Sequence, residues 1–408
     1  MATNKTDKVL NVPTLRFPGF TDEWQKYSLG EYFTFKNGLN PDAKRIGRGV
    51  KFISVMDILN NNVITYSLIR DSVEATEDEI STYGVKYGDV LFQRSSETLE
   101  DVGHANVYLD DKAAVYGGFV IRGRAIKEYN PVFMKYALAS PINRKRIIVK
   151  GAGAQHFNIG QDGLSKVQVM LPDSKEQNRI AALFALLDER IALQSKLIED
   201  LKKLKSAIVE RMLQQETEST VILSSLGRFI RGVTYSTEDI TDGDGTLVMR
   251  ATNITTGSPL NFKSDVVTIS KRVSKEQLIA TNDIVICLAN GSSALIGKNS
   301  VYDGGSLSSL TIGAFCGVFR PNHSFVKWLF QTSQYRTNVA RSIQGGNGAI
   351  ANLSPSDILT MKFALPNDDV LNMYDNLLNK IDDKLVTETK LLDDILNQKC
   401  YLLSAMFI

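Results

Sequence analysis

The residues with the strongest chemical character in this 408-residue chain are basic, and they come in clusters. Between Lys36 and Lys51 stand Lys36, Lys44, Arg45, Arg48 and Lys51 against one acid, Asp42, and Arg144, Lys145, Arg146 and Lys150 sit together with no acid among them. Such clusters suit phosphate contacts, which supply the sequence-independent part of DNA affinity; a solvated basic face is the competing reading. A net charge of +2 decides nothing by itself. Gln155 and His156 lie side by side in a glycine-rich stretch, and a glutamine amide can read the edge of adenine by a bidentate pair.

Catalytic and cofactor patterns are missing. The ten prolines include no Pro-Pro pair, so the Asn/Asp-Pro-Pro-aromatic loop of amino-methyltransferases is absent, and no G-x-G-x-x-G follows a strand-like run. Gly291 with Gly297-Lys298 imitates a phosphate loop, but the spacing is one residue too long and Asn299 stands where Ser or Thr would hold magnesium. Asp242-Gly243-Asp244-Gly245 lacks the closing Glu of a calcium loop and reads as a tight turn. His104, His156 and His323 have no metal-spaced partner, and Cys287, Cys316 and Cys400 are odd in number and far apart, which fits reduced thiols better than a disulfide framework or a zinc site. The chain is therefore expected to bind no cofactor or metal and to catalyse nothing alone. It has no run of 18 apolar residues and neither a signal-peptide core nor a transit pattern, so a cytoplasmic location away from membranes is expected.

The elements that must position these residues are written twice. Val149 to Met212 lays over Ile343 to Met406 without a gap, 194 residues apart, pairing Gly151 with Gly345, Asn158 with Asn352, Leu171-Pro172 with Leu365-Pro366 and Asp188 with Asp382. Each lobe opens on Ser-Leu-Gly, at Ser28 and at Ser225. Short β-type runs follow at 51–55, 88–92 and 105–109, with counterparts at 247–250, 282–286 and 300–302. Their irregular spacing between turn signals favours a sheet-rich α+β lobe over a parallel βαβ layout. One helix per lobe is expected, at Pro131 to Asn143 and at Phe325 to Asn338. After Leu-Pro comes a long helix, capped by Asp173 or by Ser174 with Gln177 in capping-box position, and free of Pro and Gly until Gly227. That allows roughly 40 residues, or on the order of 60 Å. The expected boundaries are 1–172 for the first lobe with a polar tail at 1–14, 173–218 for the central helix, 219–366 for the second lobe and 367–408 for the C-terminal helix.

Steps of four and three run along the first rod through Ile180, Phe184, Leu187, Ile191, Gln194, Ile198, Leu201, Lys205, Ile208 and Met212. The second rod repeats them as Tyr374, Leu378, Ile381, Leu385, Glu388, Leu392, Ile395, Lys399, Leu402 and Met406. This is a coiled-coil seam whose polar breaks coincide, and such breaks fix register. The two rods are expected to pack on each other, with antiparallel pairing placing Lys205 and Lys399 toward opposite ends.

A duplicated lobe opening on Ser-Leu-Gly, the Gly88 to Ser96 segment (Gly-Asp-Val-Leu-Phe-Gln-Arg-Ser-Ser), the glycine-rich loop before Asn158 and Asn352, Leu-Pro and a long helix occur here twice in the same order. In this order the chain resembles the specificity subunit of type I restriction-modification systems from about Leu15 onward. The resemblance implies an α+β fold of two similar sheet-rich target-recognition domains joined by two long antiparallel coiled-coil helices, with pseudo-two-fold symmetry. It implies that each domain reads one half of a bipartite double-stranded DNA target while the helices set the spacer. It also implies partners: two modification subunits that use S-adenosylmethionine to methylate adenine, and two restriction subunits that use ATP and magnesium to translocate and cleave.

On that footing Lys36, Lys44, Arg45, Arg48 and Arg94 of the first lobe, and Arg231, Arg250 and Lys298 of the second, are expected at phosphates or bases. Ser95, Ser96, Gln155, His156, Asn290, Ser292, Gln344 and Asn347 are expected at base edges or in aiding extrusion of the methylated adenine. Ala289 to Ser293 is expected to replace Gln93-Arg94-Ser95-Ser96 in the second lobe, leaving no arginine there. The alternative is a scaffold whose coiled coil joins two protein-binding lobes that read no DNA.

Overall fold

The computed structural model describes residues 11–153, 155–255, 260–261, 265–305, 309–343 and 351–408. They divide into two compact units, one holding the chain up to Ser195 together with Lys390–Ile408, the other Lys196–Thr389. Among the described residues no helix is long and apolar enough to cross a membrane.

In the first unit the strands are β1 (Gln25–Ser28), β2 (Phe33–Asn37), β3 (Ile46–Ile53), β4 (Ser72–Val73), β5 (Val90–Gln93), β6 (Ser95–Ser96), β7 (Ala105–Val107), β8 (Val115–Tyr116), β9 (Val120–Ala125), β10 (Phe157–Asn158) and β11 (Gln168–Leu171). An antiparallel sheet takes the order β2-β9-β5-β7, and a second takes β4-β3-β8 with β3 and β8 parallel. β1 with β11 and β6 with β10 form two-stranded ribbons. Every residue of β5 is buried, so this run is covered on both faces and shows no apolar alternation. Short helices connect the strands: α1 (Val55–Asn60), α2 (Glu77–Tyr83), α3 (Pro131–Ala139), α4 (Pro141–Ile148) and α5 (Gln161–Ser165).

The second unit repeats the plan. Its strands are β12 (Ser219–Ile222), β13 (Gly227–Arg231), β14 (Thr246–Met249), β15 (Val267–Ile269), β16 (Ile284–Cys287), β17 (Ala289–Asn290), β18 (Asn299–Val301), β19 (Leu310–Ile312), β20 (Cys316–Pro321), β21 (Ala351–Asn352) and β22 (Lys362–Leu365). The orders are β13-β20-β16-β18 and β15-β14-β19, with ribbons β12/β22 and β17/β21, so even the parallel pair recurs. Cys287 and Cys316, far apart in the chain, are register partners on β16 and β20 and remain free thiols.

Two expected helices are each broken in two. Pro141 lacks an N–H and drives Ser140 into an extended conformation (φ −61°, ψ 145°), so 131–143 becomes α3 and α4. In the second unit α7 (Val326–Leu329) stops before Thr332, whose hydroxyl accepts the Tyr335 N–H and starts α8 (Ser333–Ser342). α9 (Pro355–Leu359) follows.

The long helices are α6 (Ser174–Met212, 39 residues) and α10 (Asp368–Ala405, 38 residues). Asp173, rather than Ser174, caps α6: its Oδ1 accepts the Glu176 N–H at 2.8 Å and its carbonyl the Gln177 N–H at 3.0 Å. Asn367 does the same for α10 through the Val370 N–H. The start of α6 and the end of α10 run antiparallel in the first unit, where Phe184 meets Phe407 at 5.8 Å and Asp188 pairs with Lys399. In the second unit the end of α6 meets the start of α10, with Lys205 Nζ 2.6 Å from Asp382.

Seam positions Leu187 and Ile395 are buried in the first unit, with Ile191 and Leu392 half-buried; Ile198 and Ile381 are buried in the second, with Leu201 and Leu385 half-buried. Each seam lysine is thus answered by the aspartate that the repeat matches. Burial opposes ionisation of Asp188, but the bonds from Lys399 and Tyr136 and the charge of Lys135 hold its carboxyl below the usual aspartate value.

One more pair fixes both sheets. Asp89 accepts Arg124 at 2.8 Å and the Lys86 N–H at 2.8 Å, and Asp283 accepts Arg320 at 2.6 Å and the Ala280 N–H at 2.7 Å. The residue before each aspartate takes a left-handed conformation, Gly88 at φ +85° and Asn282 at φ +72°, which glycine and asparagine tolerate best.

Candidate nucleic-acid interface

In the first unit β2 and β5 end where β9 begins, and a tight turn closes that edge. Val120 donates to Gly117 O at 2.9 Å, Gly117 to Ile53 O at 2.9 Å, Gly38 to Val120 O at 3.1 Å and Arg94 N–H to Phe119 O at 2.8 Å. A Cβ on Gly38 would fall 2.1 Å from Gly117 O, so the turn can approach only a glycine at this strand end. The half-buried Arg94 reaches back to Gly118 O through Nη1 at 3.3 Å. The β6/β10 ribbon leaves from the same edge: Ser95 faces Asn158 and bonds its side chain, and Ser96 faces Phe157. Gln155 and His156 are exposed on the connection into β10. Below them Gln93 donates from Nε2 to Ser95 O at 2.9 Å, while its buried Oε1 has no protein partner.

The second unit builds the same edge from other residues. Cys316 donates to Gly313 O at 2.9 Å, Gly313 to Met249 O at 2.9 Å, Gly232 to Cys316 O at 3.3 Å and Leu288 to Phe315 O at 2.8 Å. A Cβ on Gly232 would lie 2.2 Å from Gly313 O. The turn, Thr234, Tyr235, Arg250, Thr252 and Asn290 line an open groove of about 670 Å³. Ser292 donates its N–H to Asn290 Oδ1 at 3.0 Å, and the exposed Arg231 ends β13 beside Gly232.

These bonds correct the expected match between lobes. Ile159 N–H bonds Arg94 O and Leu353 N–H bonds Leu288 O, so the buried Leu288 answers Arg94, and Ala289-Asn290 answers Ser95-Ser96. The second unit nevertheless has an arginine here. Ser54 and Arg250 each precede a helical turn capped alike, by Asp57 at 2.8 Å and by Asn253 at 2.7 Å. Ser54 follows β3 and Arg250 follows β14. One edge is served by an arginine after β5, the other by an arginine after β14.

The remaining candidates are held differently. Lys36 Nζ lies 5.3 Å over the Tyr83 ring. Lys44 is exposed in the short turn before β3, its N–H capped by Asp42. Arg45 forks onto the Glu79 carboxylate and the Glu74 carbonyl, and Arg48 Nε lies 2.6 Å from Glu74. The bond to Glu79 raises the Arg45 pKa, and the Glu79 carboxyl is lowered in return, so a phosphate here would compete with carboxylates in place. Arg144 binds the carbonyls of Glu100 and Val102 at 2.8 Å each, and burial pulls its pKa to about 10; it holds a loop. Lys298 lines a different cavity of about 500 Å³ with Ser293, Tyr335 and Arg336. Gln344 and Asn347 lie outside the described residues.

Sequence reasoning passed over Phe119 and Phe315, which occupy the two turns and are 68% and 63% exposed. Their signal is a Gly-Gly-Phe at 117–119 and a Gly-Ala-Phe at 313–315, spaced 196 rather than 194 residues apart and outside the gapless repeat.

Residues 21–203 match the family described as the type I restriction modification DNA specificity domain. The chain is 30% identical over 172 residues to the type I restriction enzyme EcoKI specificity subunit of Escherichia coli (strain K12), a match covering 39% of this chain and 36% of that protein. It is 28% identical over 176 residues to the StySPI specificity subunit of Salmonella potsdam, covering 40% and 37%. The matched stretches thus span little more than a third of these curated relatives. Among solved structures, the type I restriction-modification S subunit from M. genitalium aligns over 97% of this chain and 99% of its own at a TM-score of 0.59 and 15% identity. A chain from a structure of complex assembly and conformational transition in the type I R-M system aligns over 95% and 97% at 0.56 and 13%. At these identities the structural likeness establishes the fold.

Proposed function

We propose, for a chain that belongs through residues 21–203 to the type I restriction-modification DNA specificity family and has an S-subunit fold over nearly its whole length, that it is the DNA-reading, non-catalytic subunit of such a system. Each unit reads one half of a bipartite duplex target at the edge where its central sheet ends, and the length of α6 and α10 sets the unread spacer. The observation that carries this reading is the pair of edges itself. Backbone bonds recur one for one, while the side chains they present differ: Arg94, Ser95 and Ser96 against Leu288, Ala289 and Asn290, and Ser54 against Arg250. A constant frame with exchanged donors and acceptors is what two different half-sites require, since base edges are told apart by donor and acceptor pattern.

Arg94 and Arg250 are the cations for bases or phosphates at the two edges, and Ser95, Ser96, Gln155, His156, Asn290 and Ser292 supply amide, hydroxyl and imidazole groups. Two modification subunits using S-adenosylmethionine would methylate adenine at the site so marked, and two restriction subunits using ATP and magnesium would translocate and cleave, in the cytoplasm. The test is long-read mapping of methylated adenine in cells that hold the modification subunit, with and without this chain. A single bipartite motif methylated only when the chain is present is expected. Unchanged methylation, with the chain still bound to the modification subunit, would favour a scaffold that reads no DNA.

A further inference from the structure

We propose that Phe119 and Phe315 are equivalent wedges that press on a base-pair step, one in each half of the DNA target; the inference rests on the two edges reading DNA. An exposed apolar side chain alone means little, because folded surfaces carry many. The support beneath these two is what distinguishes them. Each ring sits on a turn closed by its own 2.9 Å bond and tied to three strand ends, through Ile53, Gly38 and Arg94 in one unit and through Met249, Gly232 and Leu288 in the other. A ring held on such a turn loses little backbone freedom when it meets a ligand, which favours binding.

The surroundings identify the ligand. In the first unit Asn40 packs so closely that a Cβ on Gly118 would fall 1.7 Å from its Oδ1, and the Arg94 guanidinium bonds Gly118 O. In the second unit Phe315 shares its groove with Arg250, Asn290, Thr234 and Thr252, and Lys271 Nζ bonds Thr234 O at 2.6 Å. A protein-docking site centres on a desolvated core from which charged groups are depleted, whereas an amide and a cation stand at each of these turns, Asn40 and Arg94 in one and Asn290 and Arg250 in the other, the second pair within a groove also lined by Val233, Ala251 and Cys316. That combination matches a duplex, where apolar side chains press between base steps while cations meet phosphates. The residues around the turn change from Gly118 to Ala314, Val120 to Cys316 and Arg94 to Leu288, yet the phenyl ring is kept.

The test uses the full chain assembled with its modification subunits and a duplex bearing the mapped target, with 2-aminopurine placed at successive positions. The unaltered complex should brighten the probe at one step in each half. Phe119→Ala should abolish the signal in one half and Phe315→Ala in the other, each weakening binding about tenfold with the salt dependence unchanged, because no phosphate contact is lost. Phe119→Leu, which keeps an apolar wedge, should restore most of the signal. If both alanine variants bind and unstack as the unaltered complex does, the wedge is wrong and the reading of DNA stands. If Phe119→Ala instead fails to assemble with the modification subunits, the ring is a protein contact and the proposal falls. If the unaltered complex neither binds nor methylates the duplex, the wedge and the reading of DNA fall together.

Discussion

At the first unit's edge the guanidinium comes from Arg94, directly after β5, and at the second it comes from Arg250, directly after β14. Around each, the turn carbonyl touches a glycine, the ribbon leaves in the same register, and an aspartate–arginine pair braces the sheet. The contacts that recur are made by backbone groups and by buried charges. The contacts that differ are made by side chains at strand ends, which can be exchanged without disturbing the ladder behind them. The same division separates the two helix clamps. Asp188 is nearly enclosed and bonds Tyr136, Lys135 and Lys399, whereas Asp382 is 37% exposed beside Lys205. Two clamps of one origin therefore differ in how much each must hold.

The largest expected effect breaks that symmetry of clamps. Asp188→Ala removes a buried carboxylate bonded by Tyr136 and by two half-buried lysines and should destabilise the chain by about 3 kcal/mol, while Asp382→Ala removes a 37% exposed carboxylate from the buried Lys205, whose Nζ keeps the Trp328 ring at 5.0 Å, and should cost about 1 kcal/mol. Urea unfolding of the two variants measures the difference, and equal losses would contradict it. Next comes the exchange of arginines. Arg94→Ala and Arg250→Ala should each cost about 1 to 3 kcal/mol in binding, felt only against targets whose own half is intact. Competition with duplexes altered in one half separates the two.

A smaller effect is read in pH. The Asp188 carboxyl is held below its ordinary value in the folded chain, so its stabilisation is complete above the ordinary aspartate pKa of about 3.9 and is lost as pH falls through the lower folded value. Unfolding followed from pH 6 downward should show an acid-side loss that Asp188→Asn lacks. The smallest effect is expected at Arg48, already paired with Glu74: Arg48→Ala should leave DNA affinity within about twofold at fixed salt.

Much of this architecture was legible from residue order. The gapless stretch from Val149 to Met212 and its copy mark the long helices, their seam and the polar breaks at Lys205 and Lys399, because a period of 3.5 over some forty residues is a strong signal. The strand ends were not legible. Strands of two to four residues carry almost no periodicity, and the spacing between lobes slips from 194 residues at β5 and β16 to 196 at β3 and β14. At Arg94 the 194-residue spacing leads to Leu288, as the structure has it, so the expected match of Gln93 to Ser96 with Ala289 to Ser293 departed from the repeat's own spacing. The slip to 196 hid Phe119 and Phe315. The basic run from Lys36 to Lys51 was easy to see and hard to interpret, since the carboxylates that face Arg45 and Arg48 lie about thirty residues downstream, just after β4 and on α2.

The central claim is that the frame is shared and the address is separate. Exchanging residues 220–344 for the matching lobe of another such protein, then mapping methylated adenine across the genome, tests it directly. One half of the methylated motif should change while the other half and the spacer between them stay as they were. A motif altered in both halves, or in its spacing, would contradict the account.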